Sequence, residues 1–368
     1  MAVALRPKLL IADEPTTALD VTTQARILDL LRRLVDEDGM GLMLITHDLA
    51  VVTGIADRLA IMRSGEVVEA GPAREVLRKK RHPYTRALFE ASTHRPDRDG
   101  TPGETPLLEV RDLVRDYPVA RRGFFGPREM FRAVKGVSFM LRRGESLGLV
   151  GESGCGKSTL TRAILGLDAL QGGEVRIDGE AVHAGETVPR HLRARMQVVF
   201  QDPYGSFNPR RRVARLVTEP FHLLDDPPKG AAREAAIATA LTDVGLAAED
   251  ATRYIHEFSG GQRQRIAIAR ALNIRPELII LDEAVSALVV RVRAQILDLL
   301  AGLSDRYGLS YLFISHDLSV VRTITDRVMV MEAGEIVERG ETEAVFAAPK
   351  HPYTRELLAA APVLEDMA

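Results

Sequence analysis

The sequence has little cysteine and few aromatic residues: one cysteine in 368 residues, and 5% Phe, Trp and Tyr together. A single thiol, Cys155, excludes an internal disulfide framework and fits a reducing cytoplasm. It also excludes a four-cysteine zinc or iron–sulfur module within these residues.

The sequence also lacks an excess of charge of either sign, because 49 Lys and Arg oppose 51 Asp and Glu for a formal net charge of −2. Such a chain has no bulk electrostatic attraction to nucleic acid or anionic lipid, so we expect no nucleic-acid partner. No apolar run approaches the ~20 residues that a membrane-spanning helix needs, and Met1 opens no signal peptide. Any membrane role is therefore expected to come through a partner.

What remains is ordinary globular composition, with 46% hydrophobic and 27% charged residues. The length predicts two or three domains.

A glycine-rich loop follows the apolar run 146–150 and precedes a predicted helix that begins Leu160-Thr161-Arg162. The glycines allow backbone N–H groups to point at phosphate oxygens, and a helix N-terminus adds partial positive charge. Lys157 is predicted to bind the β- and γ-phosphates, and the Ser158 hydroxyl to bind Mg²⁺. The predicted nucleotide-binding residues of this loop are Gly151, Glu152, Ser153, Gly154, Cys155, Gly156, Lys157, Ser158 and Thr159.

Residues 1–93 and 270–362 are copies of one another. The alignment needs no gap, since Asp13 and Asp282 are separated by 282 − 13 = 269 positions and the other matched pairs share that offset. These pairs are His47 with His316, Gly65 with Gly334, and His82 with His351. The period is far too long for a solenoid and indicates duplication.

The duplication is lopsided, because the second copy has a long upstream stretch that includes the phosphate loop and the first copy begins at Met1. Residues 1–91 are predicted to be the C-terminal half of a nucleotide-binding domain. Their pattern predicts strand 8–12, helix 22–37, strand 42–46, a short helix and a two-stranded ribbon around Ser64. Parallel strands need neighbours and cover. We therefore expect this piece to expose a sheet edge and an apolar face, and to be unstable unless it docks.

Residues 92–106 form a predicted polar linker, and residues 107–368 a predicted complete domain. Antiparallel strands are predicted at 108–113 and 136–141. The segment 120–126 between them is basic and aromatic. It is predicted to be an exposed hairpin tip, with a nucleic-acid patch as the alternative, since a few arginines do not make a nucleic-acid footprint.

Two carboxylates end the apolar run 278–281. Polar chemistry in open parallel sheets gathers at the carboxyl ends of strands. Asp282 is predicted to hold Mg²⁺ through water, and Glu283 to polarise the attacking water. Gln201, after the apolar run 198–200, is a candidate contact to metal and water, although a surface loop would explain it equally well. His316 is a candidate donor to a γ-phosphate, although a lone histidine at a strand end is more often structural.

A serine and two glycines introduce a predicted helix through Leu272, which makes a second potential anion site. One nucleotide does not need two such sites from one domain. In chain order the phosphate loop, the glutamine, this Ser-Gly-Gly-Gln segment, the Asp-Glu strand and the histidine resemble an ABC ATPase. The resemblance covers 107–362, with 1–93 as a partial second copy.

The resemblance implies an α/β fold of the P-loop NTPase type, with a RecA-like parallel sheet core, an antiparallel β subdomain and an α-helical subdomain. It implies ATP and Mg²⁺ as ligands, Tyr117 as the residue that stacks on adenine, and a head-to-tail dimer. Glu283, His316 and Gln201 would be catalytic, and Ser158, Gln201 and Asp282 would hold the metal. The segment contributed to the ATP of the partner would be Ser259, Gly260, Gly261 and Gln262.

The segment 201–210 and the repeated His-Pro-Tyr-Thr-Arg tail are similar to the peptide-importer branch. The resemblance therefore implies an ATP-hydrolysing importer subunit at the cytoplasmic face of a bacterial membrane, with membrane permease subunits and a solute-binding protein as partners. Two alternatives are a remnant that binds ATP without driving transport and a soluble ABC ATPase acting on nucleic acid or ribosomes. The tail itself is also predicted to be a turn with proline at a helix start.

The second copy departs from the family pattern at Val289, where the family and the first copy (Asp20) have aspartate. Asp20 is predicted to cap the following helix, whereas Val289 cannot, at a cost of ~1 kcal/mol. Arg291 and Arg293 add positive charge where the helix dipole disfavours it. Our hypothesis is that Val289 weakens coupling between two ATP sites. The resemblance is to an N-terminally truncated tandem member, in which two chains would pair their complete domains.

Overall fold

A computed structural model gives the structure of the chain. It describes residues 3, 5, 7–16, 19–98, 100–119, 129–183, 187–202, 205–286 and 288–361. The segment 120–126, predicted as a hairpin tip, lies outside the described residues, as do positions 203 and 204 of the segment 201–210. The chain divides into two compact units, described separately below. The first contains Met1–Arg95, Ala287–Gln295 and Arg355–Ala368, and the second Pro96–Ser286 and Ile296–Thr354.

The elements up to residue 93 match the predicted order. They are β1 (Leu9–Asp13), α1 (Val21–Asp38), β2 (Gly41–Ile45), α2 (Leu49–Ile55), β3 (Arg58–Arg63), β4 (Glu66–Pro72), α3 (Ala73–Lys79) and α4 (Pro83–Thr93). Strands β1 and β2 pair in parallel, and β3 and β4 form the predicted antiparallel ribbon. The strand and helix predictions at 8–46 are confirmed, with each boundary shifted by a single residue.

Helix α1 begins where its sequence predicts. The Asp20 carboxylate accepts a hydrogen bond from the Thr23 N–H at 2.9 Å, which satisfies a backbone donor that the helix itself leaves unpaired. The helix ends at Gly39, whose φ of 61° suits glycine. The predicted cap at Asp20 is confirmed.

One face of the β1–β2 pair is apolar and open to solvent. Leu9, Ile11, Met43 and Ile45 are 55%, 59%, 53% and 41% exposed. Their equivalents 269 positions later, which are Leu278, Ile280, Leu312 and Ile314, are fully buried at 0%. The predicted exposed apolar face is therefore present, and the instability of this piece on its own stays a prediction.

The described residues of the rest of the chain contain two sheets. The strands are β5 (Pro106–Pro118), β6 (Met130–Arg142), β7 (Ser146–Val150), β8 (Gly172–Ile177), β9 (Glu180–Ala181), β10 (Met196–Phe200), β11 (Leu278–Asp282), β12 (Ser310–Ile314), β13 (Arg327–Glu332) and β14 (Glu335–Glu341). The helices are α5 (Lys157–Ile164), α6 (Arg190–Arg195), α7 (Val213–Val217), α8 (Gly230–Asp243), α9 (Gly260–Leu272), α10 (Val290–Tyr307), α11 (Leu318–Ile324), α12 (Thr342–Ala347) and α13 (Pro352–Ala360). Short 3-10 helices cover Glu219–Leu223, Ala248–Thr252 and Ile255–Glu257.

The larger sheet has the strand order β10-β11-β12-β7-β13-β14, parallel except for the β13–β14 pair. Its central strands β7 and β12 are buried along their whole length, as expected for a parallel sheet covered on both faces. The smaller sheet is antiparallel, with the order β6-β5-β8-β9. Helices α7, α8 and α9 lie together between β10 and β11 in the chain. The predicted parallel core, antiparallel β subdomain and helical subdomain are confirmed.

The parallel register brings several strand ends to one edge. Phe200 lies opposite Asp282, Asp282 opposite Ile314, and Ile314 opposite Leu149. Whatever follows β7, β10, β11 and β12 in the sequence therefore emerges at the same edge of the sheet. In the described part of the chain, no helix combines the length and the apolar character needed to cross a membrane.

Part of the predicted linker packs into the second unit. The Arg98 side chain is only 11% exposed, and it donates hydrogen bonds to the Asp326 carboxylate at 3.1 Å and the Gly144 carbonyl at 2.9 Å. A partly buried guanidinium needs such partners. The second unit accordingly begins at Pro96, before the predicted domain start at 107.

Candidate nucleotide-binding and hydrolysis site

The loop between β7 and α5 is built closely against backbone. A Cβ atom at Gly151 would lie 2.2 Å from the Met331 carbonyl oxygen, and one at Gly156 would lie 2.6 Å from the Ala133 carbonyl oxygen. Gly156 also has a φ of 115°, which L side chains rarely adopt. The tight turn between β7 and α5 therefore requires glycine at both positions.

Lys157 lies inside this loop and is only 6% exposed. Its ammonium donates to the carbonyl oxygens of Gly151 at 2.6 Å and Glu152 at 2.8 Å, and it lies 3.9 Å from the Cys155 Sγ. These hydrogen bonds go to neutral groups, and the ammonium charge also acts on the carboxylates of Asp282 and Glu283. The loop therefore holds a positive charge suited to a phosphate group.

Helix α5 has one face in the core and one facing outward. Leu160 and Ile164 are fully buried, whereas Ser158 is exposed in the first turn. Ser153 and Gly154 are also exposed, and Thr159 is half-buried. Packing of the apolar face thus turns the Ser158 hydroxyl away from the core, where a ligand can reach it.

Asp282 ends β11 and is largely removed from solvent. Burial, reinforced by the charge of Glu283, raises its pKa to about 6, although Lys157 acts in the opposite direction. The Asp282 carboxylate is therefore ionised at neutral pH, but it becomes protonated as the pH falls through about 6. An added positive charge at this edge would stabilise the ionised form.

Glu283 and His316 form a pair. The Nδ1 of His316 lies 2.9 Å from a carboxylate oxygen of Glu283, and both side chains are mostly buried. Burial alone would raise the pKa of Glu283, but the hydrogen bond and charge of His316, together with Lys157, lower it below its ordinary value. Glu283 also has a φ of 53°, an uncommon conformation for a side chain of this size.

The structure therefore brings Lys157, Asp282, Glu283 and His316 together at one edge of the sheet. Gln201 follows the end of β10 at the same edge and is exposed. An exposed amide at this edge of the sheet can approach a ligand bound there.

Tyr117, the residue that the resemblance places against adenine, makes contacts through both its hydroxyl and its ring. Its hydroxyl donates to Asp168 at 2.9 Å, and the guanidinium of Arg115 lies 4.4 Å from its ring centroid. The ring is half-buried, with one face in contact with a cation. Its stacking role stays a prediction.

The Ser-Gly-Gly-Gln segment caps helix α9. The Ser259 N–H donates to the Gln262 side-chain oxygen at 3.0 Å, and the Gln262 N–H donates to the Ser259 hydroxyl at 3.4 Å. This reciprocal arrangement is a capping box. Ser259 and Gly260 are exposed and Gly261 is half-buried, so the helix N-terminus is presented to solvent.

Sequence reasoning missed one contact to the phosphate loop. The Glu152 backbone N–H donates to the Tyr353 hydroxyl at 2.9 Å, across 201 positions of sequence. The signal available was the tyrosine in both repeated tails, which were interpreted as similar to the peptide-importer branch and as a turn with proline at a helix start. The helix start is confirmed, because α4 and α13 both begin at the proline of the tail.

The first unit contains a second carboxylate–histidine pair. His47 Nδ1 lies 3.0 Å from a carboxylate oxygen of Glu14, and Glu14 has a φ of 44°. Glu14 and His47 are the 269-offset equivalents of Glu283 and His316. The repeated sequence therefore adopts the repeated local geometry.

Comparison with protein families gives two matches. Residues 134–286 match the ABC transporter family. The C-terminal region of oligopeptide and dipeptide transporters matches twice, at residues 68–113 and 337–368. The two matches begin 337 − 68 = 269 positions apart, which is the offset of the internal repeat.

Curated relatives and solved structures agree with these matches. The chain is 48% identical to the glutathione import ATP-binding proteins GsiA of Escherichia coli K12 and Shigella flexneri, over 99% of its own length. It spans 63% of the length of those relatives. CbiO1 of Clostridium perfringens, part of an ABC transporter complex, superposes with a TM-score of 0.58 at 27% identity, covering 66% of this chain and 92% of that one. A dimeric ATP-binding cassette in a post-hydrolysis state with ADP and Pi gives 0.57 at 26% identity, covering 64% and 99%.

Proposed function

We propose that the chain is a member of the ABC transporter family that binds and hydrolyses ATP to power import of peptides or related small solutes. The observation that carries the proposal is the position of Lys157 in its glycine loop at the sheet edge that also holds the Glu283–His316 pair. The double match to the oligopeptide and dipeptide transporter region supports the solute class.

The chain's own residues perform the chemistry as follows. The ammonium of Lys157 exchanges the carbonyls of Gly151 and Glu152 for the β- and γ-phosphates, while the backbone N–H groups of residues 153–159 bind phosphate oxygens. Glu283, ionised at neutral pH, accepts a proton from the attacking water. His316, held by Glu283, donates toward the γ-phosphate as charge develops there.

Ser158, Gln201 and Asp282 would hold Mg²⁺. Hydroxyl, amide and carboxylate oxygens suit this hard cation, which usually keeps several waters and takes few protein ligands. The described residues contain no cluster of three or more His, Cys, Asp or Glu able to hold a metal. When bound, Mg²⁺ neutralises the charge that develops on the β- and γ-phosphates.

A second ABC ATPase domain would complete the site. Ser259, Gly260, Gly261 and Gln262 lie at the N-terminus of α9, where unpaired N–H groups and the helix dipole favour an anion. We propose that this segment binds the γ-phosphate of ATP held by a partner domain, in a homodimer or with a related subunit. The dimeric state of a solved relative supports this arrangement.

The remaining partners are membrane permease subunits and a solute-binding protein, with the chain peripheral at the cytoplasmic face of a bacterial membrane. Residues 1–91 are proposed to be a partial ABC ATPase domain, 92–106 a linker and 107–368 the complete domain. The 269-residue offset of the two tail matches and the Glu14–His47 pair support the assignment of 1–91.

The proposal is tested by measuring MgATP hydrolysis by the purified chain over a range of protein concentrations. Because the second anion site comes from another molecule, the rate per chain should rise with concentration, and ATP should increase the dimeric fraction in sedimentation experiments. ADP serves as the control nucleotide. Absence of hydrolysis and of ATP affinity at every concentration would contradict the proposal.

Val289 supplies a second test. Its side chain is 53% exposed, and its carbonyl accepts the Arg293 N–H at 2.9 Å. Val289 therefore stands before α10 where Asp20 stands before α1. V289D should restore a side-chain cap worth ~1 kcal/mol and increase the ATPase rate up to about fivefold if the gain is expressed in the coupled state. V289A, which removes apolar bulk without adding a cap, is the control. An unchanged rate in V289D would remove the hypothesis that Val289 weakens coupling.

A further inference from the structure

The hydroxyl of Tyr353 contacts the phosphate loop directly. It accepts the Glu152 backbone N–H at 2.9 Å, and the side chain is only 7% exposed. Tyr353 lies in the first turn of α13, within the region 337–368 that matches the oligopeptide and dipeptide transporter tail. A segment more than 190 residues after the loop thus reaches its backbone.

The surrounding hydrogen bonds fix the position of this tyrosine. The Glu338 carboxylate, on β14, accepts the N–H groups of Lys350 at 2.8 Å and His351 at 3.0 Å. The His351 Nδ1 in turn accepts the Tyr353 N–H at 3.3 Å. A strand of the central sheet therefore holds the start of α13, and α13 holds the tyrosine.

The backbone of Glu152 is restrained at both its N–H and its carbonyl. The N–H donates to Tyr353, and the carbonyl accepts the Lys157 ammonium at 2.8 Å. Once Lys157 turns to a triphosphate, the Tyr353 contact still restrains the N–H of this residue. Because Tyr353 uses the N–H of Glu152 and not a ligand atom, it acts on the nucleotide only through the shape of the loop.

The first copy shows that the tail does not need this contact to fold. Tyr84, the equivalent of Tyr353, follows the same turn, in which Glu69 accepts the N–H groups of residues 81 and 82 at 3.0 and 3.1 Å. Its own N–H donates to His82 Nδ1 at 3.1 Å. Its ring, however, is half-buried beneath the guanidinium groups of Arg63 and Arg291, at 5.2 and 5.9 Å.

We propose that Tyr353 is a positioning residue that holds the phosphate loop in its nucleotide-binding shape, so that the C-terminal tail sets the affinity of the domain for ATP. This inference rests on the proposed ATP-binding function. A loop released from Tyr353 must be ordered when the nucleotide binds, and that entropy is subtracted from the binding free energy. The chemical step, performed by Glu283 and His316, should be little affected.

The test compares Y353F with Y84F, which removes the equivalent hydroxyl in a copy whose described residues contain no phosphate loop. Y353F should raise the Kd for a non-hydrolysable ATP analogue, and the KM for MgATP, by about threefold to tenfold, the value of one ordinary hydrogen bond. Its kcat should change by less than about twofold. Y84F should leave all three quantities at their wild-type values.

Hydrogen exchange separates this role from a merely structural one and from the ATPase proposal itself. In the nucleotide-free full chain, the Glu152 amide should exchange faster in Y353F than in wild type or Y84F. The inference is overturned if Y353F has a wild-type Kd and exchange rate, or if Y84F raises the Kd equally. If wild type binds the analogue but does not hydrolyse ATP, the hydrolysis proposal fails while the Kd and exchange measurements still decide the role of Tyr353.

Discussion

E283Q is expected to lower kcat for ATP hydrolysis by about 100- to 10,000-fold, the usual contribution of a positioned general base. Glutamine is isosteric and can still accept the hydrogen bond that Glu283 receives from His316 at 2.9 Å. It cannot take a proton from water. ATP affinity should be retained within about threefold, since the change removes an interaction made mainly in the transition state.

The matched control for E283Q is E14Q. Glu14 has the same histidine contact, at 3.0 Å, and the same left-handed backbone, but residues 1–91 contain no glycine-rich phosphate loop. E14Q should therefore keep the wild-type rate. A single-turnover measurement at saturating MgATP gives the comparison, and a wild-type rate in E283Q would remove Glu283 from the mechanism.

The pH profile gives an independent check on the same pair of acids. In the free chain the pKa of Asp282 is raised to about 6 by burial and by Glu283, so wild-type kcat/KM for MgATP should fall as pH drops below about 6 and Asp282 becomes protonated. In E283Q one cause of that raised pKa is removed. The acid limb of the residual activity should therefore move to lower pH.

K157A is expected to weaken ATP binding by about 30- to 1,000-fold, which corresponds to ~2–4 kcal/mol for a lost charge-assisted contact in a buried site. Lys157 is 6% exposed and its ammonium donates to carbonyl and thiol groups, which phosphate oxygens can replace as acceptors. Adenosine, which has no phosphate, should lose little affinity. Equilibrium binding of a fluorescent ATP analogue measures the effect.

K135A controls for the loss of a lysine elsewhere in the same unit. Lys135 is an exposed residue of β6 whose ammonium lies 3.5 Å from the Glu335 carboxylate, a pair of the kind that contributes little to stability. K135A should bind the analogue with wild-type affinity. Equal losses in K157A and K135A would show a general electrostatic effect and would contradict the specific role of Lys157.

Much of the site could be predicted from the sequence because local backbone and side-chain chemistry determines it. Gly154 and Gly156 have φ values of 80° and 115°, a backbone conformation that glycine adopts readily and other residues rarely do. Ser259 and Gln262 are separated by one helical turn, so their capping box follows from spacing alone. Strand ends at β7, β10, β11 and β12 gather at one edge because the pairing is parallel.

Contacts between segments that are distant in the chain could not be predicted from local sequence. Arg98, interpreted as part of a polar linker, donates to Asp326 across 228 positions. The phenol of Tyr117 donates to Asp168, which a strand pattern does not suggest. Each of these two hydrogen bonds depends on how helices and strands pack, and not on the residues that neighbour the donor in the chain.

The sequence by itself determined the glycine loop, the paired acids, the capped helix, the 269-residue duplication and the resemblance to a family. These follow from spacing and from residue types whose backbone or side chain permits only a few local conformations. Only the tertiary structure decided that Glu283 holds His316, that burial moves the pKa of Asp282 to about 6, and that Tyr353 holds the phosphate loop. Burial and long-range hydrogen bonds depend on which surfaces of the sheets and helices pack together. A local sequence pattern does not specify those tertiary contacts.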